Sequence, residues 1–233
     1  MAEPHLLAIE TSSEACSVAL RIGGETREHF EHSPMQHAER LLPAVRALLA
    51  EAGVGLSGLD AIAFGRGPGS FTSLRIGIGV VQGLAWGAGL RVVPVSSLAA
   101  VAQAAAERAP PAAERILVAV DARMQEVFSG EFGLDEQGLV TALGEERVGP
   151  PAALESLSGP GQPYVAAGNG FARFAELAAA GRQALACYDD LWPRAATVAL
   201  LAAAWLREFE ALPPALAQPV YIRNQVAIKP PRG

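Results

Sequence analysis

A motif that occurs twice constrains this chain more than any other feature. LLAIETSSEACSVAL (residues 6–20) and ILVAVDARMQEVFSG (residues 116–130) each read as an apolar strand, a carboxylate, a short polar turn and a second strand. The two segments share few residues, but the common pattern implies two lobes that open in the same way. A length of 233 residues accommodates two such lobes, each with a core of its own. The expected division is a first lobe over 1–108, a second over 112–215, and a tail over 216–233 that packs back on the lobes.

The first lobe reads clearly. Leu6–Ile9, Ser17–Ile22 and Glu25–Glu31 form a predicted meander, with Gly23-Gly24 as a turn. Ser33-Pro34 reads as an N-cap with proline at the first helical position. Leu41, Leu42, Val45, Leu48 and Leu49 then mark one helical face, with Pro43 expected to kink the helix or delay its start. A strand over Ala61–Phe64 enters the loop GRGPG and a second helix over about 70–86. Leu90–Val95 is a further strand, and Ser96 or Ser97 caps a third helix. The order is βββαβαβα. Ala109-Pro110-Pro111 breaks the chain before the second motif. Beyond Val127–Phe132 the pattern thins into Gly/Pro-rich connections over 149–163, a helix after Asn169, and a long helix over about 195–210.

Composition narrows the function. With 51% hydrophobic and 18% charged residues the chain is a folded globular protein. A net charge of −6 and a single lysine, Lys229, argue against autonomous nucleic-acid binding. The start MAEPHLLAIE lacks the basic and long apolar regions of a secretion signal, and no apolar run is long enough to span a bilayer. Cys16 and Cys187 are far apart in sequence, so a reduced, cytoplasmic protein is expected, with Cys16 as a small buried strand residue.

Several residues are candidates for chemistry. Gly67, Gly69 and Ser70, followed by Arg75, make a glycine loop at a helix N-terminus, which can hold an anion or a partner. Ser70-Phe71 replaces the Lys-Ser/Thr of a Walker A loop, so a plain strand-to-helix turn is the competing reading. The second helix carries Gly77, Gly79, Gly83 and Gly87, each costing about 0.8–1 kcal/mol against alanine. Such a bare stripe serves close approach, either to the chain's own sheet or to a helix of another subunit. Glu10, Thr11 and Asp121 stand where the two opening strands end, positions that could flank a nucleotide. Glu14 and the absence of a nearby lysine oppose phosphate there. His29, His32 and His37 straddle a strand end, a proline loop and a helix start, a spacing without metal-site regularity. No cofactor or metal is expected.

The blocks LLAIETSSEACSVAL, HAERLLPAVRALLAEAG, GRGPGSFTSLRIGIGVVQGLAWG, VPVSSLAA and PVYIRNQVA closely resemble the TsaB family, densely over the first hundred residues and again in the tail. The resemblance implies an actin/Hsp70-like ATPase fold and kinship with TsaD-type proteins. Those transfer threonylcarbamoyl to the adenosine beside the anticodon of tRNAs reading codons that begin with A. TsaD-type proteins hold a metal partly through an HxxxH pair in the helix after the strand that reads RVVPV here. In this chain that helix opens Ser96-Ser97-Leu98-Ala99-Ala100-Val101, without histidine. The resemblance therefore implies a non-catalytic scaffold and activator. It would pair with a TsaD-type subunit through the first two helices, join the ATPase TsaE, form a homodimer when alone, and meet tRNA only within the complex. The implied partner surface comprises Leu41, Leu42, Val45, Leu48, Leu49, Leu74, Ile78, Gly79, Gly83 and Gly87. Two rivals are an actin-fold small-molecule kinase or ATPase, which needs a glycine phosphate loop with a base, and a metallohydrolase, which needs the absent histidines.

Overall fold

The computed structural model describes residues 3–154 and 163–223. The first unit runs β1 (Leu6–Glu10), β2 (Ala15–Ile22), β3 (Glu25–His32), α1 (His37–Ala52), β4 (Ala61–Gly65), α2 (Phe71–Ala88), β5 (Arg91–Val95) and α3 (Ser97–Ala106). Its sheet has the order β3-β2-β1-β4-β5, antiparallel through the meander and parallel from β1 to β5. The second unit runs β6 (Arg115–Asp121), β7 (Val127–Leu134), β8 (Val140–Ala142), β9 (Arg147–Gly149), β10 (Tyr164–Ala167), α4 (Gly170–Arg173), α5 (Ala178–Gln183) and β11 (Ala186–Tyr188). Its sheet order, β8-β7-β6-β10-β11 with β9 also on β7, repeats the first. In both, the first strand is central, a meander extends to one side and parallel strands to the other. A duplicated unit of this topology is the actin/Hsp70-like ATPase fold. The repeated sequence motif is β1–β2 and β6–β7, with Glu10 and Asp121 at the ends of the two central strands.

Over β1, β2 and β4 the first sheet is buried on both faces, while the edge strand β3 is largely exposed. Leu7, Ile9, Val18, Leu20, Ile62 and Phe64 face α1 and α2 with Leu41, Val45, Leu48, Ile78 and Val81. The other face alternates to Leu6, Ala8, Ala19, Ala61 and Ala63. Covering it is α6 (Ala195–Trp205), through Ala195, Val198, Ala199, Ala202 and Ala203. Small residues on both sides bring helix and sheet close, and a helix apolar all round is a buried one. The sequence-based division places this helix in the second lobe. Its alanine face matches the alanine face of β1, β2 and β4 instead, so the first lobe is completed by residues 195–205. The helix also stops at Trp205, short of the expected Glu210.

Two other expectations shift. The first helix begins at His37 behind Gln36, because Ser33-Pro34 is spent on a turn closed by Gln36 N–H to the Ser33 carbonyl, 3.1 Å. It runs through Pro43 to a left-handed Gly53. In the second unit, β8–β11 are short strands unsignalled in sequence. Ser96 caps α3 as expected, its hydroxyl accepting from Leu98 and Ala99 N–H at 3.1 Å each. Of the tail, residues 216–223 are described and run along the first lobe toward the second. Lys229 lies outside the described residues.

Candidate functional site

The lobes enclose a cleft of about 1110 Å³. The first lobe contributes the β1–β2 turn (Ser12, Ser13, Glu14), His37, the start of α2 (Pro68–Ser73) and Ser97. The second contributes Asp121, Ala122, Arg123, Asn169 and Arg173. Asp121 lines the cleft, its carboxylate accepting from Arg123 N–H at 2.8 Å and facing Arg173 Nε at 3.7 Å. Asn169 holds the same strand end by accepting the Asp121 N–H at 2.9 Å. Arg123 reaches across to ion-pair with Glu14, tying the two turns together over the cleft.

Glu10 is not at the cleft surface. It is 1% exposed, accepts the Ser12 N–H at 2.6 Å and the Ser97 hydroxyl at 2.8 Å, and lies against Gly65. Burial pushes its carboxyl above the usual carboxylate range, opposed by these hydrogen bonds. A Cβ on Gly65 would stand 1.9 Å from Glu10 Oε2, so this glycine exists to admit the carboxyl. Thr11 is equally internal: its hydroxyl donates to the Ser73 carbonyl at 3.0 Å, and a Cβ on Gly77 would stand 2.1 Å from Thr11 Oγ1. Of the grouping Glu10, Thr11 and Asp121, the fold brings only Asp121 to the cleft wall.

The glycine loop closes on its own chain. Gly67 takes φ +93°, a Cβ on Gly69 would meet the Ser12 carbonyl oxygen at 2.3 Å, and Ser70 N–H donates to that same oxygen at 2.7 Å. The helix N-terminus thus receives a backbone carbonyl in the place where an anion would use Ser70 N–H. Arg75 turns away from the loop to lie 3.7 Å over the Phe71 ring and donate to the Tyr221 hydroxyl at 2.9 Å.

The helix residues divide by burial. Leu41, Val45, Leu48, Leu74 and Ile78 are buried in the chain's own core, so they support the first two helices from beneath rather than meeting a partner. Leu49 is half-buried and Leu42 exposed. Gly79, Gly83 and Gly87 are exposed, and a Cβ on any of them would meet nothing within 4 Å. Among the described residues, internal close approach explains Gly77 but none of the other three. Trp86, 75% exposed, stands beside this stripe.

The histidines do not converge. His29 and His32 are half-exposed and pair with Glu31 and Glu14, whereas His37 is buried, its Nε2 3.1 Å from the Ala15 carbonyl. Among the described residues no group of histidine, cysteine and carboxylate side chains is placed to hold a metal. Burial pushes the Cys16 thiol up to about 11, an inert core residue. Sequence reasoning missed Glu14 as an ion-pair partner, along with Arg123, Asn169, Arg173 and Arg223. Only Arg123 carried a signal, two residues past the second motif's carboxylate.

Fold and cleft together define a two-lobed protein of the actin-like ATPase class whose first-lobe carboxylate is sealed inside. Residues 31–220 match the family model described as TsaD: tRNA N6-adenosine threonylcarbamoyltransferase. The tRNA threonylcarbamoyladenosine biosynthesis protein TsaB of Escherichia coli is 40% identical over 229 residues, 97% of each chain. That of Haemophilus influenzae is 38% identical over 96% of this chain and 95% of its own. The solved structure of YeaZ from Pseudomonas aeruginosa superposes with a TM-score of 0.80 at 44% identity, covering 94% of this chain and 99% of that one. The chain belongs to the TsaB family. No helix among the described residues is long and apolar enough to cross a membrane.

Proposed function

We propose that this chain serves tRNA threonylcarbamoyladenosine biosynthesis, the process for which its relatives are named, as a non-catalytic scaffold and activator. It acts in the cytoplasm, pairs with a TsaD-type transferase, joins a TsaE-type ATPase and meets tRNA only through the complex. The observation that carries the reading is the exposed face of α2. Gly79, Gly83 and Gly87 each weaken the helix, and nothing among the described residues requires their bareness. A second backbone packed on that stripe supplies the reason, with Leu42 and Trp86 as apolar margins. The same face serves a homodimer when the transferase is absent, so the two assemblies compete.

The cleft supports the non-catalytic part. Glu10 is satisfied internally by Ser12 and Ser97, Ser70 N–H is taken by Ser12, and α3 opens with Ser97, Leu98, Ala99, Ala100 and Val101, which offer no imidazole. The test is to mix the purified chain with a TsaD-type transferase and a TsaE-type ATPase and to assay modified tRNA. The chain alone is expected to show neither ATP turnover nor transfer, and to be required for both association and full modification by the mixture. Steady-state turnover by the lone chain, or full activity of the mixture without it, overturns the reading.

A further inference from the structure

The tail crosses from one lobe to the other, and each end of the crossing is anchored. Ala217, 1% exposed, is part of the first core, and its carbonyl accepts from Gln82 Nε2 of α2 at 2.8 Å. Val220 N–H donates to the Arg66 carbonyl at 2.8 Å, just before the glycine loop. Two residues later Ile222 packs against the second core. Arg223 Nη2 then donates to the Ala122 carbonyl at 3.0 Å and to Glu126 at 2.6 Å, and Arg223 lines the cleft.

The turn that Arg223 grips is unusual. Arg123, Met124 and Gln125 take φ of +62°, +56° and +60°, three successive non-glycine residues in the left-handed region. Side chains disfavour that region, and such a run persists only where its surroundings hold it. The turn closes on itself through Ala122 N–H to the Glu126 carbonyl at 2.9 Å and Glu126 N–H to the Arg123 carbonyl at 3.1 Å. The Asp121 carboxylate adds a restraint by accepting from Arg123 N–H, and Arg223 adds another by bridging Ala122 and Glu126 on either side of the strained residues. This turn also presents Arg123 to Glu14 across the cleft.

We propose that residues 217–223 are an interlobe strap that fixes the β6–β7 turn and, through the Arg123–Glu14 pair, sets how far the cleft is closed. The strap lies along α2 but acts within a single chain, so it stands independently of the partner reading. Releasing Arg223 frees the turn to relax out of the left-handed region. The exposed Arg123–Glu14 pair is too weak to hold two lobes once its base moves.

The test measures interlobe distance in the full chain. Spin labels are placed through Arg46→Cys on α1 and Thr141→Cys on β8, both exposed, with Cys187→Ser to remove the other exposed thiol. With the labelled chain diluted in excess unlabelled chain, so that labels on a second copy do not contribute, the native strap gives one narrow distance distribution. Arg223→Ala is expected to broaden it, and to make amides 122–126 exchange about tenfold faster while amides 116–119 in β6 keep their protection. If Arg223→Ala does not fold, Glu126→Ala, which removes the carboxylate that Arg223 Nη2 donates to, takes its place. An unchanged distance distribution in a folded variant overturns the strap, even where exchange in the turn alone has quickened.

Discussion

Replacing Gly83 by leucine separates the chain's own stability from its assembly. An added Cβ at this position meets nothing within 4 Å, and the residue is exposed within α2. The isolated chain therefore incurs no overpacking. It gains helix propensity instead, since glycine is roughly 0.8–1 kcal/mol worse than alanine and leucine is close to alanine. A gain of about 0.7 kcal/mol corresponds to a rise in Tm of about 2 °C in a chain of this size. At a helix–helix contact the same side chain stands where another backbone belongs. Overpacking there costs about 1–3 kcal/mol, which weakens pairing roughly 5- to 150-fold. The expected result is a variant that melts slightly higher as a monomer yet no longer co-elutes with the transferase, measured by scanning calorimetry and titration calorimetry. At a concentration where the parent is monomeric, a variant that melts well below it puts Gly83 in the chain's own packing. Native affinity for both the transferase and a second copy removes the glycine stripe from the interface.

Gly77 gives the opposite result. Gly77→Ala brings a methyl to 2.1 Å from Thr11 Oγ1 and is expected to lose about 1–3 kcal/mol in denaturant unfolding, whereas Gly87→Ala is neutral or stabilising. Glu10 gives a pH signature. A carboxyl whose folded pKa lies above its unfolded value favours the fold most at low pH, and that contribution is lost as pH rises through the folded pKa. Glu10→Gln should therefore gain relative to the parent as pH rises from about 4.5, in unfolding titrations across pH. Each tenfold difference in the carboxyl's proton affinity between the folded and unfolded chain makes that gain larger by about 1.4 kcal/mol. A constant difference across that range would mean that the carboxylate is charged and matched in place. Arg194 donates twice to Glu28, at 2.5 and 2.8 Å, and Glu28 in turn accepts the Ala196 N–H at the start of α6. Arg194→Ala leaves a nearly buried carboxylate short of its partner and should cost about 1–3 kcal/mol, read as a lower urea midpoint at unchanged slope. The lone chain, at net charge −6, should bind tRNA weakly and with steep salt dependence in filter binding. Tight binding at physiological salt would put a nucleic-acid face on this subunit.

What could be read in the sequence followed from local periodicity. The meander, the α1 leucine face and the Ser96 cap were legible because each is a pattern of neighbours along the chain. The pattern gave the α1 face but not its neighbour: Leu41, Val45 and Leu48 repeat as a core face does, and burial puts them in the core, leaving Leu42 outside. The α2 glycines looked alike in sequence, yet one is shaped by Thr11 and three by nothing among the described residues, a difference set by which face meets the end of β1. Long-range complementarity explains the rest. The helix over 195–205 follows the second unit in sequence but carries an alanine face that packs on the alanines of β1, β2 and β4, so composition of the facing surfaces, not chain order, assigns it. Glu10 and Gly65 make the same point at a single contact. A strand-end carboxylate reads as a ligand, and a strand-end glycine as the start of a loop. With a Cβ on residue 65 there would be no room for the carboxyl, so the glycine determines that Glu10 turns inward to Ser97 and away from the cleft. The residue that would have marked a nucleotide site is thus converted to internal structure by a partner 55 positions later, which no local pattern contains.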